Sequence, residues 1–245
     1  MGRVQETGSL IPSLDASNLS YEFEKERVVN PNEQKIFKVV DNVDSRKKVP
    51  KNLEYLDDFY DKETGTSGTA FRDKNTGKII VSYTGTNLEV NRREDLTIDI
   101  FGIFFGGGFQ YPPAFEFYEK LARKYGADNL IPVGHSLGGN LAMRVALRYN
   151  SKMAIVYNSA PLYLTTDFNK VLNVVLPKVS DNIKQIELDK MNYTGRIIRI
   201  VTENDELTNI SEAHNGVFVG EKYTLTISSG HGLDPIVESA EQVAK

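Results

Sequence analysis

One stretch constrains the chain more than any other: Leu130-Ile131-Pro132-Val133-Gly134-His135-Ser136-Leu137-Gly138-Gly139-Asn140-Leu141-Ala142, where a short apolar run meets a glycine-rich corner and then a helical pattern. Leu130 to Val133 suits a buried parallel strand, and Leu137, Leu141, Val145 and Tyr149 recur every fourth residue as one helical face. Between them, Gly134-His135-Ser136-Leu137-Gly138 fits G-x-S-x-G, a pattern that holds a serine on a sharp strand-to-helix turn with its Oγ exposed beside backbone N–H groups. Gly134 and Gly138 spare that corner two Cβ atoms that would meet the strand and the helix. Pro132 goes against the pattern, because proline donates no ladder hydrogen bond. The competing explanations are a glycine-rich connection without chemistry and a phosphate cradle. A cradle would want several glycines before the helix, or a Lys-Ser/Thr pair, and neither occurs.

Composition narrows the function classes. With 245 residues, 40% of them hydrophobic, the chain can bury the core of a single α/β domain. Lys and Arg number 29 against 33 Asp and Glu, a net charge of −4, so electrostatics make no case for nucleic acid or an anionic membrane surface. The absence of cysteine excludes disulfides, thiolate metal sites and a cysteine nucleophile, and the three histidines are few for a multi-histidine metal centre. The first residues lack the apolar core of a secretory signal, and no apolar run approaches the ~20 residues that span a bilayer. The expectation is a soluble polypeptide, cytoplasmic or exported without a recognisable cleavable signal.

Residues 1–60 are polar, charge-rich and punctuated by Pro12, Pro31 and Pro50, which predicts an N-terminal brace of helices and loops, with Asp41 to Lys48 as a solvated loop. Ser67 to Phe71 and Lys78 to Tyr83 read as a β-hairpin turning at Asp73 to Gly77. The segment from Arg92 to Phe109 concentrates phenylalanine and glycine. Phe101, Ile103, Phe104, Phe105 and Phe109 there form either a core segment with a glycine-rich turn or an apolar lid or acyl-binding wall. Ala114 to Tyr125 is an amphipathic helix closed by Gly126, and Met153 to Asn158 and Gly195 to Thr202 are strands. Strand, helix and strand around Ser136 make a βαβ unit, so the predicted class is α/β, with a mainly parallel central sheet and helices on both faces.

A serine becomes a nucleophile when a histidine takes its proton and a carboxylate fixes the imidazole. His135 occupies the x of the motif and is expected to pack elsewhere. His231, in a Gly-flanked loop near the C-terminus, is preferred over His214 because it completes the chain order Ser, acid, His. Asp205, just beyond a strand end, is the preferred acid; a helix cap or turn is its alternative role, Asp167 competes with it, and Asp234 reads as the cap of the last helix.

From roughly Gly68 onward the chain resembles the class 3 lipase branch of the α/β-hydrolase superfamily, which includes the fungal lipases and many bacterial lipase-like proteins. The resemblance is carried by Val81-Ser82-Tyr83-Thr84-Gly85-Thr86, Gly134-His135-Ser136-Leu137-Gly138-Gly139, Asn204-Asp205 after a strand, and the late His231. It implies an α/β-hydrolase fold and an oxyanion hole from Thr86 and the Leu137 N–H. It also implies a lid between the first two motifs, in the segment of Phe101 to Phe109. Thr84 stands where an arginine is usual in that family. The implied activity is hydrolysis of lipid or other carboxylic esters through an acyl-enzyme on Ser136, by a lipase or phospholipase, with a small-ester esterase or a non-catalytic binding scaffold as the alternatives. It calls for no metal or cofactor and for transient contact with a lipid interface rather than with nucleic acid.

Overall fold

The computed structural model describes residues 2–84, 110–165, 177–226, 231–234 and 236–237. Along them run strands β1 (Leu53–Asp61), β2 (Thr66–Asp73), β3 (Ile79–Thr84), β4 (Leu130–His135), β5 (Met153–Tyr157), β6 (Tyr163–Leu164), β7 (Arg196–Thr202), β8 (Gly216–Val217) and β9 (Glu221–Leu225). Seven form one sheet in the order β1-β2-β3-β4-β5-β7-β9, and β6 pairs with β8. The predicted hairpin, β2 with β3, is antiparallel, as is β1 with β2; every later pairing in the main sheet is parallel. The ladder from β4 to β5 starts at Val133, so at Pro132 the register pairs β4 with β3 alone and the missing N–H is tolerated.

Side-chain alternation along the central strands creates two core faces. Ile79, Val81, Tyr83, Leu130 and Val156 point to one face and Ile80, Ile131, Val133, Ile155 and Tyr157 to the other. Helices α1 (Gly2–Val29) and α2 (Ile36–Arg46) cover the second face with Leu14, Leu19, Phe23, Val39 and Val43. Helices α3 (Tyr111–Tyr125), α4 (Leu137–Tyr149) and α5 (Pro177–Asn192) cover the first with Tyr118, Leu121, Leu141, Val145 and Ile186. A short α6 (Glu206–Ala213) follows β7. This is the α/β class expected, with helices on both faces.

The N-terminal sixty residues hold helices as expected, α1 and α2, but depart from the expected brace in two places. Leu53 to Asp61 is a strand, β1, at the sheet edge, and two of its carboxylates are matched from neighbouring helices: Arg27 Nη2 donates to Asp58 at 2.6 Å and Lys120 Nζ lies 2.6 Å from Asp57. Much of the supposed loop Asp41 to Lys48 belongs to α2, because Val39 and Val43, one helical turn apart, are fully buried. In α1 the sheet-facing positions include Ser13, Ala16, Ser17 and Ser20, all buried, which let the helix approach closely. Phe23 fills the remaining space, stacked on Tyr55 at 5.0 Å and edge-on to Phe71 at 5.6 Å; burying such a ring contributes roughly 2–3 kcal/mol.

Candidate active site

The motif at the centre of the sequence is a strained corner. Ser136 adopts φ 55° and ψ −123°, outside the regions an L-residue ordinarily occupies, between the end of β4 and the first turn of α4. The corner is over-determined. Ser136 N–H donates to the Tyr157 carbonyl at 3.1 Å, and the Ser136 carbonyl accepts from Ala160 N–H at 2.9 Å and Gly139 N–H at 3.1 Å. A Cβ on Gly134 would lie 2.1 Å from the Gly138 carbonyl oxygen, and one on Gly139 would lie 2.5 Å from Ser159 Cβ. The strand and helix cross too closely there for a side chain.

Around this corner the fold collects residues far apart in the chain. Ser136 Oγ lies 2.8 Å from His231 Nε2, and His231 Nδ1 lies 2.5 Å from Asp205 Oδ1. Asp205 is fully buried at the C-terminal end of β7, where α/β sheets place their sites. It is also the N-cap of α6, its Oδ2 accepting from Thr208 N–H at 2.9 Å and from the Thr208 hydroxyl. One oxygen of Asp205 thus serves the helix cap and the other faces the His231 ring. His214 is exposed at the end of α6, its Nδ1 donating to the Ile210 carbonyl at 2.8 Å, and it does not enter the site. Asp234 lies in an exposed contact with Lys47, 3.8 Å away.

Leu137, the first residue of α4, carries one of the amides that a helix N-terminus leaves without an internal partner, beside Ser136 Oγ and at the positive end of the helix dipole. Thr86, the phenylalanine-rich segment of Phe101, Ile103, Phe104, Phe105 and Phe109, and Asp167 lie outside the described residues. Thr84, which ends β3 immediately before the predicted oxyanion turn, is buried and hydrogen-bonded to the Ser67 hydroxyl on β2, so the usual arginine position is occupied here by a hydroxyl pair.

Two residues of the site are absent from the sequence prediction. Asn158, at φ 39° just past β5, is fully buried and donates through Nδ2 to the His231 carbonyl at 3.1 Å. Its place one residue beyond a parallel strand, at the edge that carries Ser136, was the available signal. Tyr21 of α1 reaches the His135 ring, its hydroxyl 3.0 Å from Nδ1, and no local pattern announces that contact. His135 does point away from the Ser136 hydroxyl; its Nε2 lies 2.7 Å from the His231 carbonyl, and burial and the nearby His231 ring lower its pKa to about 3. Among the described residues no group of three or more His, Asp or Glu side chains is placed to hold a metal ion, and no helix is long and apolar enough to cross a membrane.

The fold is shared with solved lipase structures. Lipase II from Rhizopus niveus aligns with a TM-score of 0.52 at 14% identity, over 91% of this chain and 83% of that one. A native propeptide complex of the Rhizomucor miehei lipase aligns at 0.53 and 14%, over 91% and 69%. A triacylglycerol lipase from Penicillium expansum aligns at 0.50 and 17%, over 71% and 70%. At these identities the likeness is one of fold. No curated protein sequence matches the chain. A family model does: residues 42–228 match the Tle-like phospholipase domain, described as phospholipase-like. That span contains Ser136 and Asp205 and stops just short of His231. With most of its length matched, and folded as a lipase-like α/β-hydrolase, the chain belongs to the Tle-like phospholipase family.

Proposed function

We propose that the protein is a serine hydrolase that cleaves acyl esters of lipids, phospholipids above all, through an acyl-enzyme on Ser136. The observation that carries this reading is the continuous line from Asp205 Oδ1 through His231 to Ser136 Oγ, at 2.5 and 2.8 Å. In it Asp205 accepts a hydrogen bond from His231 Nδ1–H, which keeps the proton on Nδ1 and leaves Nε2 bare to take the Ser136 proton. Ser136 Oγ then attacks the ester carbonyl. The tetrahedral oxyanion is held by the Leu137 N–H and by Thr86, His231 passes its proton to the departing alcohol, and water releases the acid by the same steps in reverse order. The strain at Ser136 keeps Oγ facing the ester and the helix N-terminus at once. Membership of a phospholipase-like family supports lipid esters as the substrate class, and the triacylglycerol lipase of the same fold supports acyl transfer as the chemistry.

The test is hydrolysis of a p-nitrophenyl ester series and of a fluorogenic phospholipid by wild type and Ser136→Ala, with fluorophosphonate labelling alongside. Wild-type activity and labelling, both lost in the variant by several orders of magnitude, is the expected result. Preference for the short p-nitrophenyl esters over the phospholipid would redirect the reading to a small-ester esterase. A wild type that neither hydrolyses nor labels would replace it with a binding scaffold.

A further inference from the structure

We propose that His135, the residue before Ser136, is a positioning residue for His231, and that Tyr21 of α1 sets it, so that the N-terminal helix forms part of the site. The inference rests on the reading of Ser136 and His231 given above.

The argument starts from atoms that can act in one way only. The His231 carbonyl oxygen can only accept, and His135 Nε2 is 2.7 Å from it, so Nε2 carries the proton of the His135 ring. Nδ1 is therefore the bare nitrogen, and it accepts the Tyr21 hydroxyl proton at 3.0 Å, with the His135 carbonyl a longer second acceptor at 3.4 Å. Tyr21 thus selects the one tautomer of His135 able to hold His231. The Asn158 amide is the second donor to the same carbonyl, and it is itself pinned to β7 by Thr202 N–H on its Oδ1 at 2.9 Å. His231 is consequently held at its backbone by two donors, from the ends of β4 and β5, and at its ring by Asp205 and Ser136.

That matters because His231 sits on a loop rather than on a strand or helix. A ring that must stay within hydrogen-bond reach of two partners needs its backbone fixed, and small displacements at such a point cost large factors in rate. The His135 and His231 rings lie 4.8 Å apart between centroids, tilted by 38°, so the first also backs the second. Tyr21 is in turn fixed by the anchoring of α1: Ser82 Oγ donates to Ser20 Oγ at 3.0 Å, and the Ser13 and Tyr157 hydroxyls are 2.7 Å apart. Tyr21 precedes the family-matched residues 42–228, so this support comes from a part of the chain that the family match does not span.

The experiment compares Tyr21→Phe, His135→Phe and His135→Gln, each checked for folding by thermal denaturation. Glutamine offers a neutral N–H at about the reach of Nε2; phenylalanine keeps the bulk and removes both polar functions. With an ester substrate, His135→Phe should lower kcat by about tenfold or more with KM within about twofold, and His135→Gln should recover most of that loss. Tyr21→Phe should lower kcat by about three- to tenfold, the equivalent of one neutral hydrogen bond. In a His231→Ala background His135→Phe should cost nothing further, since it acts through His231. Without substrate, the downfield proton resonance of the His231–Asp205 hydrogen bond should be sharp in wild type and His135→Gln and broadened in His135→Phe and Tyr21→Phe. Wild-type kcat in both phenylalanine variants, or an equal loss with and without His231, would overturn the proposal. An inert wild type would defeat the hydrolase reading alone; the resonance would still decide this one, and its persistence unchanged in both phenylalanine variants would overturn it.

Discussion

Asp205 Oδ1 lies 2.5 Å from His231 Nδ1, while the other oxygen of the same carboxylate starts helix α6 by accepting Thr208 N–H at 2.9 Å. Asparagine caps a helix as well as aspartate does, but its amide nitrogen would then face His231 and move the bare ring nitrogen to Nδ1, the wrong side for Ser136. Asp205→Asn should therefore melt close to wild type and lose about 10⁴ in kcat, the scale of the same exchange in a serine protease. Asp205→Ala should also lose the cap, destabilising the fold by about 1 kcal/mol. Full activity in the asparagine variant would remove Asp205 from the proposed triad.

Acid should weaken the fold through His135. Burial first, and the neighbouring His231 ring second, pull its pKa from the ordinary 6.5 to about 3. As pH falls below 6.5 the unfolded chain takes up a proton that the folded chain refuses, so stability declines, by up to about 1.4 kcal/mol per pH unit until the folded-state value is reached. Glu22 and Glu26, held below their ordinary 4.5 although burial alone would raise them, because Lys25 and Arg46 hydrogen-bond to the first and Asn42 and Arg46 to the second, add a loss of the same sign only at lower pH. Urea midpoints should fall between roughly pH 7 and pH 5 in wild type and fall clearly less in His135→Gln. Parallel curves would show that His135 carries no such linkage.

The buried ion pair of α4 and α5 should respond asymmetrically to its two deletions. Arg144, its side chain 2% exposed, donates through Nη1 to Asp189 at 2.6 Å and lies 5.4 Å from the centre of the Phe115 ring. Asp189→Ala strands that cation and should destabilise by about 3–5 kcal/mol; Arg144→Met removes the charge, fills similar space and should cost clearly less. Chemical denaturation of the two variants measures the order, and the reverse order would mean that the guanidinium's packing outweighs its charge.

Two glycines should fail for different reasons. Gly134→Ala forces a Cβ to 2.1 Å from the Gly138 carbonyl oxygen and should destabilise by more than about 2 kcal/mol while displacing Ser136. Gly77 has φ +72° with open space around it, so Gly77→Ala should cost about 1–2 kcal/mol, from backbone conformation alone, and leave ester hydrolysis unchanged. Melting curves and a single ester assay on both variants separate the two effects.

What the sequence determined by itself was everything encoded within a few neighbouring residues. The apolar runs at Leu130 and Met153, the turn ending at Gly77 and the four-residue spacing after Ser136 each declare an element locally, and their order implies the parallel sheet. The glycines around Ser136 declare the corner for the same reason. What only the tertiary structure decided depends on partners distant in the chain. Helices were expected in the N-terminal region, but the buried face of α1 was illegible because it carries Ser13, Ser17 and Ser20, hydroxyls that read as solvent-exposed until Tyr157 and Ser82 are seen to bond to two of them. Strand β1 was hidden by carboxylates whose cations, Arg27 and Lys120, arrive from two different helices. Asp205 could be named from its position, but its two oxygens acquire separate partners only when the last loop returns His231 to the sheet edge. Periodicity reports which side of an element is buried; pairing between polar groups is a matter of distance in space, and the folded chain alone sets it.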